Sequence, residues 1–406
     1  MHASSMDGSA ETALQVLAGW AVETTSIPET VEHAARRVLM DQVGVSIAGG
    51  KPLAPLARGT PSAALWSTGE LVYAPDAALA NRFAGDDLEL TAGPEIGAAG
   101  VAAAEVADAT LGELLVAMAV ASELEHYLRG WLQIAVERHR LHPPAVFGAF
   151  AATAVASKLL ALDRDTFAGA LASGLALTPQ SPYASFSEGA TGKWLYGAWS
   201  QRLGVQCALW ARAGMTGALS TLEGARGVAQ AFLHDRSPTP AFHPDGWAIE
   251  NVTFKPFPCS RACHPALTAL EQLEQLGPLE ADRIERIDVW SYPFSVDLEE
   301  QSTKANSIAS QMSISAMVAQ TLGTAAPITV SREGSSGLPR IRRARVRVGM
   351  TDGTVRVAAS EAKWSASKPA TDDELRARFV NATRNQRVFD PWNVASATRV
   401  HAVYRG

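Results

Sequence analysis

Apolar residues recur at three-and-four spacing through most of positions 9 to 250, the repeat of an amphipathic helix. The spacing predicts helices over 12–24, 29–48, 111–131, 144–162, 164–176, 191–213 and 220–232. Several starts carry side chains that can accept the free N–H groups of a first turn: Ser26 ahead of Ile27-Pro28-Glu29, Thr110 ahead of Leu111, Asp163 ahead of Arg164. Segments 144–162 and 164–176 are rich in Ala and Gly. Small residues let helices approach closely, so both belong in the middle of a bundle. Gly and Pro mark the connections at 49–52, 179–182 and 238–244.

Near position 250 the period changes. Residues 283–292 alternate as a strand does, and 341–350 and 354–359 flank Thr351-Asp352-Gly353, a hairpin signal. Helices are predicted over 265–275 and 313–322, and over 372–385 behind Thr371; Ser331 to Pro339 reads as a mobile loop. The pattern predicts a mainly α protein. A large all-helical domain takes residues 1–249 and 378–406, and a smaller α+β domain takes 250–377.

Composition narrows the function classes. A length of 406 residues favours two domains, and 47% hydrophobic with 19% charged residues excludes a disordered chain. The net charge is −6 and no region concentrates Lys and Arg, so no nucleic-acid partner is expected. The run from Arg340 to Arg347 alternates with apolar residues and reads as the wet side of a strand. No apolar run approaches the roughly 20 residues that span a bilayer. Three cysteines (Cys207, Cys259, Cys263) suit a reducing compartment, and residues 1–10 lack a signal-peptide pattern, so a cytoplasmic protein is expected.

Four segments carry candidate chemistry. In Arg138-His139-Arg140-Leu141-His142-Pro143-Pro144, His142 sits just ahead of a helix, whose dipole favours a neutral imidazole able to relay protons; the alternative is a solvated basic turn. In Gly189-Ala190-Thr191-Gly192-Lys193, a lysine opens a helix behind a glycine-rich turn, an arrangement that can hold a carboxylate or phosphate but lacks P-loop spacing. Lys255 to Pro265 holds Cys259, Arg261, Cys263 and His264; no second cysteine pair exists, so a metal is not expected, and His264 reads as the start of a helix. Asn81 to Asp87 ends in the pair Asp86-Asp87, suited to general acid or base work or to capping a helix.

Taken in order, these segments resemble the landmarks of the MmgE/PrpD family of 2-methylcitrate dehydratases and cis-aconitate decarboxylases. Ile27-Pro28-Glu29 through Asp41 to Gly49 resembles its opening helices, Pro75 to Asn81 with Asp86-Asp87 its aspartate segment, and Leu141-His142-Pro143 its histidine turn. Gly192-Lys193, Leu195-Tyr196-Gly197, Gly214 to Gly217 and Leu222-Glu223-Gly224 match a further block, and Lys255-Pro256-Phe257-Pro258-Cys259 with His264 its small-domain opening. The resemblance implies a helical domain, an α+β lid and a cleft between them in a homodimer, with neither metal nor organic cofactor and a small carboxylate as substrate. It implies His142, Lys193, His264, Asp86 and Asp87 as catalytic groups, with Asn81, Tyr196, Lys255 and Arg261 binding substrate. Two places differ: Asn81 and Ala84 stand where the family has His and Asp, and Gly93-Pro94 where it has His-Pro. They point to a substrate with fewer carboxylates, another oxygen leaving group such as phosphate, or a lost activity. A carbon–oxygen lyase in a specialised biosynthetic pathway is the expectation; a decarboxylase or isomerase and a non-catalytic carboxylate-binding protein are the alternatives.

Overall fold

The computed structural model describes residues 11–49, 62–66, 70–86, 96–233, 238–301, 307–334, 342–383 and 390–401. The helical part comprises α1 (Ala13–Glu23), α2 (Glu29–Gly49), a short hairpin of β1 (Ala63–Ala64) and β2 (Leu71–Val72), α3 (Ala74–Asp86), α4 (Gly97–Ala107), α5 (Leu111–Arg138), α6 (Pro143–Leu159), α7 (Arg164–Ala176), α8 (Ala184–Ser187), α9 (Trp194–Arg212) and α10 (Val228–Leu233). Thr12 and Thr110 cap α1 and α5 in capping boxes with Gln15 and Glu113, and the Asp163 side chain accepts from Thr166 N–H to start α7.

α6 is buried on nearly every face, and α5, α7 and α9 pack around it. Its Ala-rich sequence allows this. Gly204 of α9 meets α6 so closely that an added Cβ would lie 2.5 Å from the Ala152 carbonyl carbon and 2.6 Å from Thr153 N. α3 runs antiparallel along α9. Tyr73 Oη donates to Gln206 (2.9 Å), Arg202 pairs with Asp76 (2.9 Å), and Phe83 meets Trp194 edge-on (5.9 Å). The end of α3 is thereby held against the start of α9.

The second part has its own core. It comprises α11 (His264–Gln275), β3 (Ile284–Ser291), α12 (Pro293–Gln301), α13 (Ser307–Ser310), α14 (Ile314–Leu322), β4 (Ile328–Arg332), β5 (Arg343–Met350) and β6 (Val355–Glu361). The sheet order is β4-β3-β5-β6, with β3 parallel to β4 and the other pairs antiparallel. Gly353, at φ +83, turns the β5–β6 hairpin. Leu267, Leu270 and Leu273 of α11 join Ile287, Val289, Val346 and Val348 in one cluster. Arg343, Arg345 and Arg347 alternate with buried Ala344, Val346 and Val348, as expected of a strand's wet side.

α15 (Asp372–Thr383) returns to the helical core through Leu375 and Phe379, packing on α2. The boundary expected at 377–378 falls inside this helix, and Ala370 already belongs to the larger cluster.

Three expectations are corrected. Residues 220–232 do not form one helix: Gly224 N–H donates to Ser220 O and Gly227 N–H to Gly224 O in tight turns, leaving only α10. Ser331, expected in a loop, lies in β4 opposite Trp290, while 335–341 lie outside the described residues. α3 and α4 are additional; α4 is buried along most of its length, and a helix without a polar face carries no period.

Candidate active site

His142 is the N-cap of α6, followed by Pro143 and Pro144 in the first turn. Its loop is tied to the segment before α8: His142 N–H donates to Ser181 O (2.9 Å) and Tyr183 N–H to Arg140 O (3.2 Å), with Arg140 and Ser181 both at positive φ. The His142 ring packs at 4.7 Å on Phe186 and edge-on at 5.8 Å on Tyr183. Lys193 closes a short 3₁₀ turn that leads into α9 and is only 4% exposed. Its Nζ lies 5.4 Å from the centre of the same Phe186 ring. One aromatic side chain thus lies against both head groups.

The second part contributes His264, the first residue of α11, 1% exposed. Its Nε2 lies 3.2 Å from Cys259 O. A carbonyl only accepts, so Nε2 carries a proton. Arg261 is oriented by two bonds to Thr253, Nη1 to Oγ1 (2.8 Å) and Nη2 to the carbonyl (2.7 Å). Lys255 is buried, and its carbonyl accepts from Arg378 Nη1 (2.7 Å). Behind them Asp41 of α2 lies 3.1 Å from Arg378; burial raises its carboxyl above the ordinary range, against the pull of Arg378, Arg261 and Lys255.

One cavity of about 880 Å³ joins these groups: His142, Lys193, Lys255, Arg261 and His264 all line it. Five positions singled out in the sequence, drawn from three separate segments, therefore share a single space. Tyr292 also lines it, its phenol pushed up to about 12 by burial, so it keeps its proton at neutral pH.

The other sequence candidates are placed differently. Asn81 is not among the lining residues; its Nδ2 donates to Ala64 O (3.0 Å) and its Oδ1 accepts from Trp66 N–H (2.9 Å). These bonds fasten the β1 segment to α3. Tyr196 also stands behind the wall, its hydroxyl engaged by Ser185 Oγ (2.8 Å) and Pro182 O (3.0 Å). Asp86 is the last residue of α3; Asp87, Gly93 and Pro94 lie outside the described residues. Cys259 and Cys263 are free, buried thiols in the smaller core. The hydrogen bond that the Cys263 thiol donates to Cys259, together with burial, pushes the Cys263 thiol well up, opposite to what a nucleophile needs.

Sequence reasoning missed Arg82, Glu125 and Arg129, which also line the cavity. Glu125 is 2% exposed and pairs with Arg129 at 2.6 Å. A charge inside an apolar helical stretch is the signal that could have found them, because an acid rarely enters a core without a partner.

A family model of the MmgE/PrpD N-terminal domain matches residues 15–241, more than half of the chain. The chain belongs to the MmgE/PrpD family. The match spans the helices that hold His142 and Lys193, so the family assignment and the cavity rest on the same segment. This is a family of dehydratase-like and lyase-like proteins. No curated protein shows significant similarity to the chain. Among the described residues no helix is long and apolar enough to cross a membrane.

Proposed function

We propose that this MmgE/PrpD protein is a carbon–oxygen lyase. It eliminates water, or another oxygen leaving group such as phosphate, from a small carboxylate-bearing substrate by general acid–base catalysis. The observation that carries the reading is the convergence of two histidines and three buried or oriented cations on one cavity. A proton beside a carboxylate is weakly acidic, and removing it builds negative charge. Lys193, Lys255 and Arg261 supply positive charge where that builds up. One imidazole takes the carbon-bound proton and the other returns a proton to the departing oxygen, His264 accepting through Nδ1. A lid role for the smaller unit is supported by the contribution of Arg261 and His264 to the cavity: closing it over α6 and α9 excludes water and strengthens each interaction. The reaction needs no electron transfer, so no organic cofactor is invoked.

A cytoplasmic homodimer fits this reading. Leu195, Trp199 and Trp210 lie within one face of α9, each between 39 and 42% exposed, an apolar stripe suited to a second copy. The test of function is substitution at the two sides of Phe186. His142→Gln is expected to lower kcat by 10²-fold or more, the usual weight of a positioned acid or base. Lys193→Ala is expected chiefly to weaken binding of the anionic substrate. Activity within a few-fold of wild type in His142→Gln would remove that residue from the mechanism.

A further inference from the structure

The cavity has a wall that the chemistry above does not use. Phe294 and Leu298 lie one turn apart on α12, so they share a face, and both line the cavity together with Met312, which stands between α13 and α14. Leu298 and Met312 are 8% and 3% exposed, yet among the described residues neither belongs to a core cluster of either part. Their apolar surface borders the cavity instead of building a core. Printed contacts fix where this wall stands. The carbonyl of Gln311, next to Met312, accepts from Ser260 N–H (2.8 Å), in the loop that leads to His264. α13 packs on α8, and Phe186 of α8 lies against His142 and Lys193. Ser315 N–H donates to Glu299 (3.3 Å), which holds the start of α14 on α12 beside Leu298. The apolar wall therefore reaches both sides of the cavity that carry the histidines. A volume of about 880 Å³ lies in the range, on the order of 300–1,000 Å³, that encloses a drug-sized ligand. A compact, wholly polar acid would leave Phe294, Leu298 and Met312 facing water; an alkyl or aryl group on the same acid covers them.

We propose that Phe294, Leu298 and Met312 form an apolar arm of the cavity that takes an alkyl or aryl group of the substrate. The substrate class is then a carboxylic acid with an apolar substituent, its acid end among the cations and its chain on α12 and Met312. This rests on the lyase reading for the carboxylate, but it is a statement about binding and is tested without turnover.

The experiment is calorimetric titration of the full chain with butyrate, hexanoate, octanoate and hexanol as probes. Wild type is expected to bind each acid about 10-fold tighter than the one two carbons shorter, somewhat under the roughly 4-fold per methylene of complete burial. Hexanol, which lacks the carboxylate that the cations hold, is expected to bind at least about 10-fold weaker than hexanoate. Leu298→Asn and Met312→Gln keep the side-chain volume nearly unchanged and make the wall polar. Each is expected to cut the gain from butyrate to octanoate by about 10-fold or more, while Met312→Leu keeps it. Butyrate binding in each variant reports that the acid end is intact. A flat series in wild type, a gain that survives both polar variants, hexanol binding as tightly as hexanoate, or an equal loss of all three acids in both variants would each overturn the proposal. Chain-length selectivity that depends on Leu298 and Met312, in a protein that eliminates nothing, would instead sink the lyase reading and leave this arm standing.

Discussion

Gly204 is where the geometry of the active site is most exposed to a single methyl group. Its alanine variant would place a Cβ 2.5 to 2.6 Å from the backbone of Ala152 and Thr153, about 1 Å inside ordinary contact. Backbone of a buried helix cannot rotate away, so α9 and α6 must separate. Overpacking of this kind costs about 3 kcal/mol, and the better helix propensity of alanine returns about 1. A net loss of about 2 kcal/mol corresponds to a Tm lowered by roughly 2 °C in a chain of this size. Gly130 of α5 is the control: it is exposed, nothing lies within 4 Å of its missing Cβ, and alanine there is expected to raise Tm by about 0.5–1 °C. Thermal melts of the two variants beside wild type check both signs. Equal shifts, or a stabilised Gly204→Ala, would refute the claim that α6 and α9 are in backbone contact. Because these helices begin at His142 and Lys193, Gly204→Ala should also lower kcat/KM while Gly130→Ala leaves it unchanged.

Other consequences follow from polar groups in the core. Asn81→Ala removes both hydrogen bonds to the β1 segment and leaves buried backbone groups unmet, so a loss of roughly 2–4 kcal/mol in urea denaturation is expected with substrate affinity little changed. A large affinity loss in a stable Asn81→Ala protein would restore its role as a substrate contact. Asp41 holds its proton to higher pH when folded than when unfolded, because burial raises its carboxyl. The folded state therefore binds the extra proton, and that contribution falls as pH rises from the ordinary aspartate range through the folded value. The stability of wild type relative to Asp41→Asn should decline across that window; a rising difference would show that Arg378 outweighs burial.

Much of this fold is legible in the sequence because its helices are amphipathic and capped. α7 runs from Arg164 to Ala176 as the spacing and Asp163 predict, and Ser313 and Thr371 mark α14 and α15. The hairpin at Asp352-Gly353 follows from glycine's freedom at positive φ. What stays hidden has physical causes. α4 is buried on most sides and has no polar stripe to give it away. The stretch 220–232 has helical spacing, but the turns at Gly224 and Gly227 override it. The site divides in the same way. His142, Lys193 and His264 stand beside helix starts, where local chemistry is readable. Asn81 and Arg82 are neighbours on a helix, so which one faces the cavity depends on how α3 lies along α9. That relation is tertiary and absent from any local pattern.

The central claim is elimination beside a carboxylate, and proton NMR of the protein with candidate hydroxy acids and their phosphate esters in heavy water tests it most directly. The account predicts new olefinic signals for one of these compounds, with deuterium entering beside its carboxylate and both signals lost in His142→Gln. Turnover that proceeds unchanged in His142→Gln, or loss of carbon dioxide without any olefinic product of elimination, would contradict it.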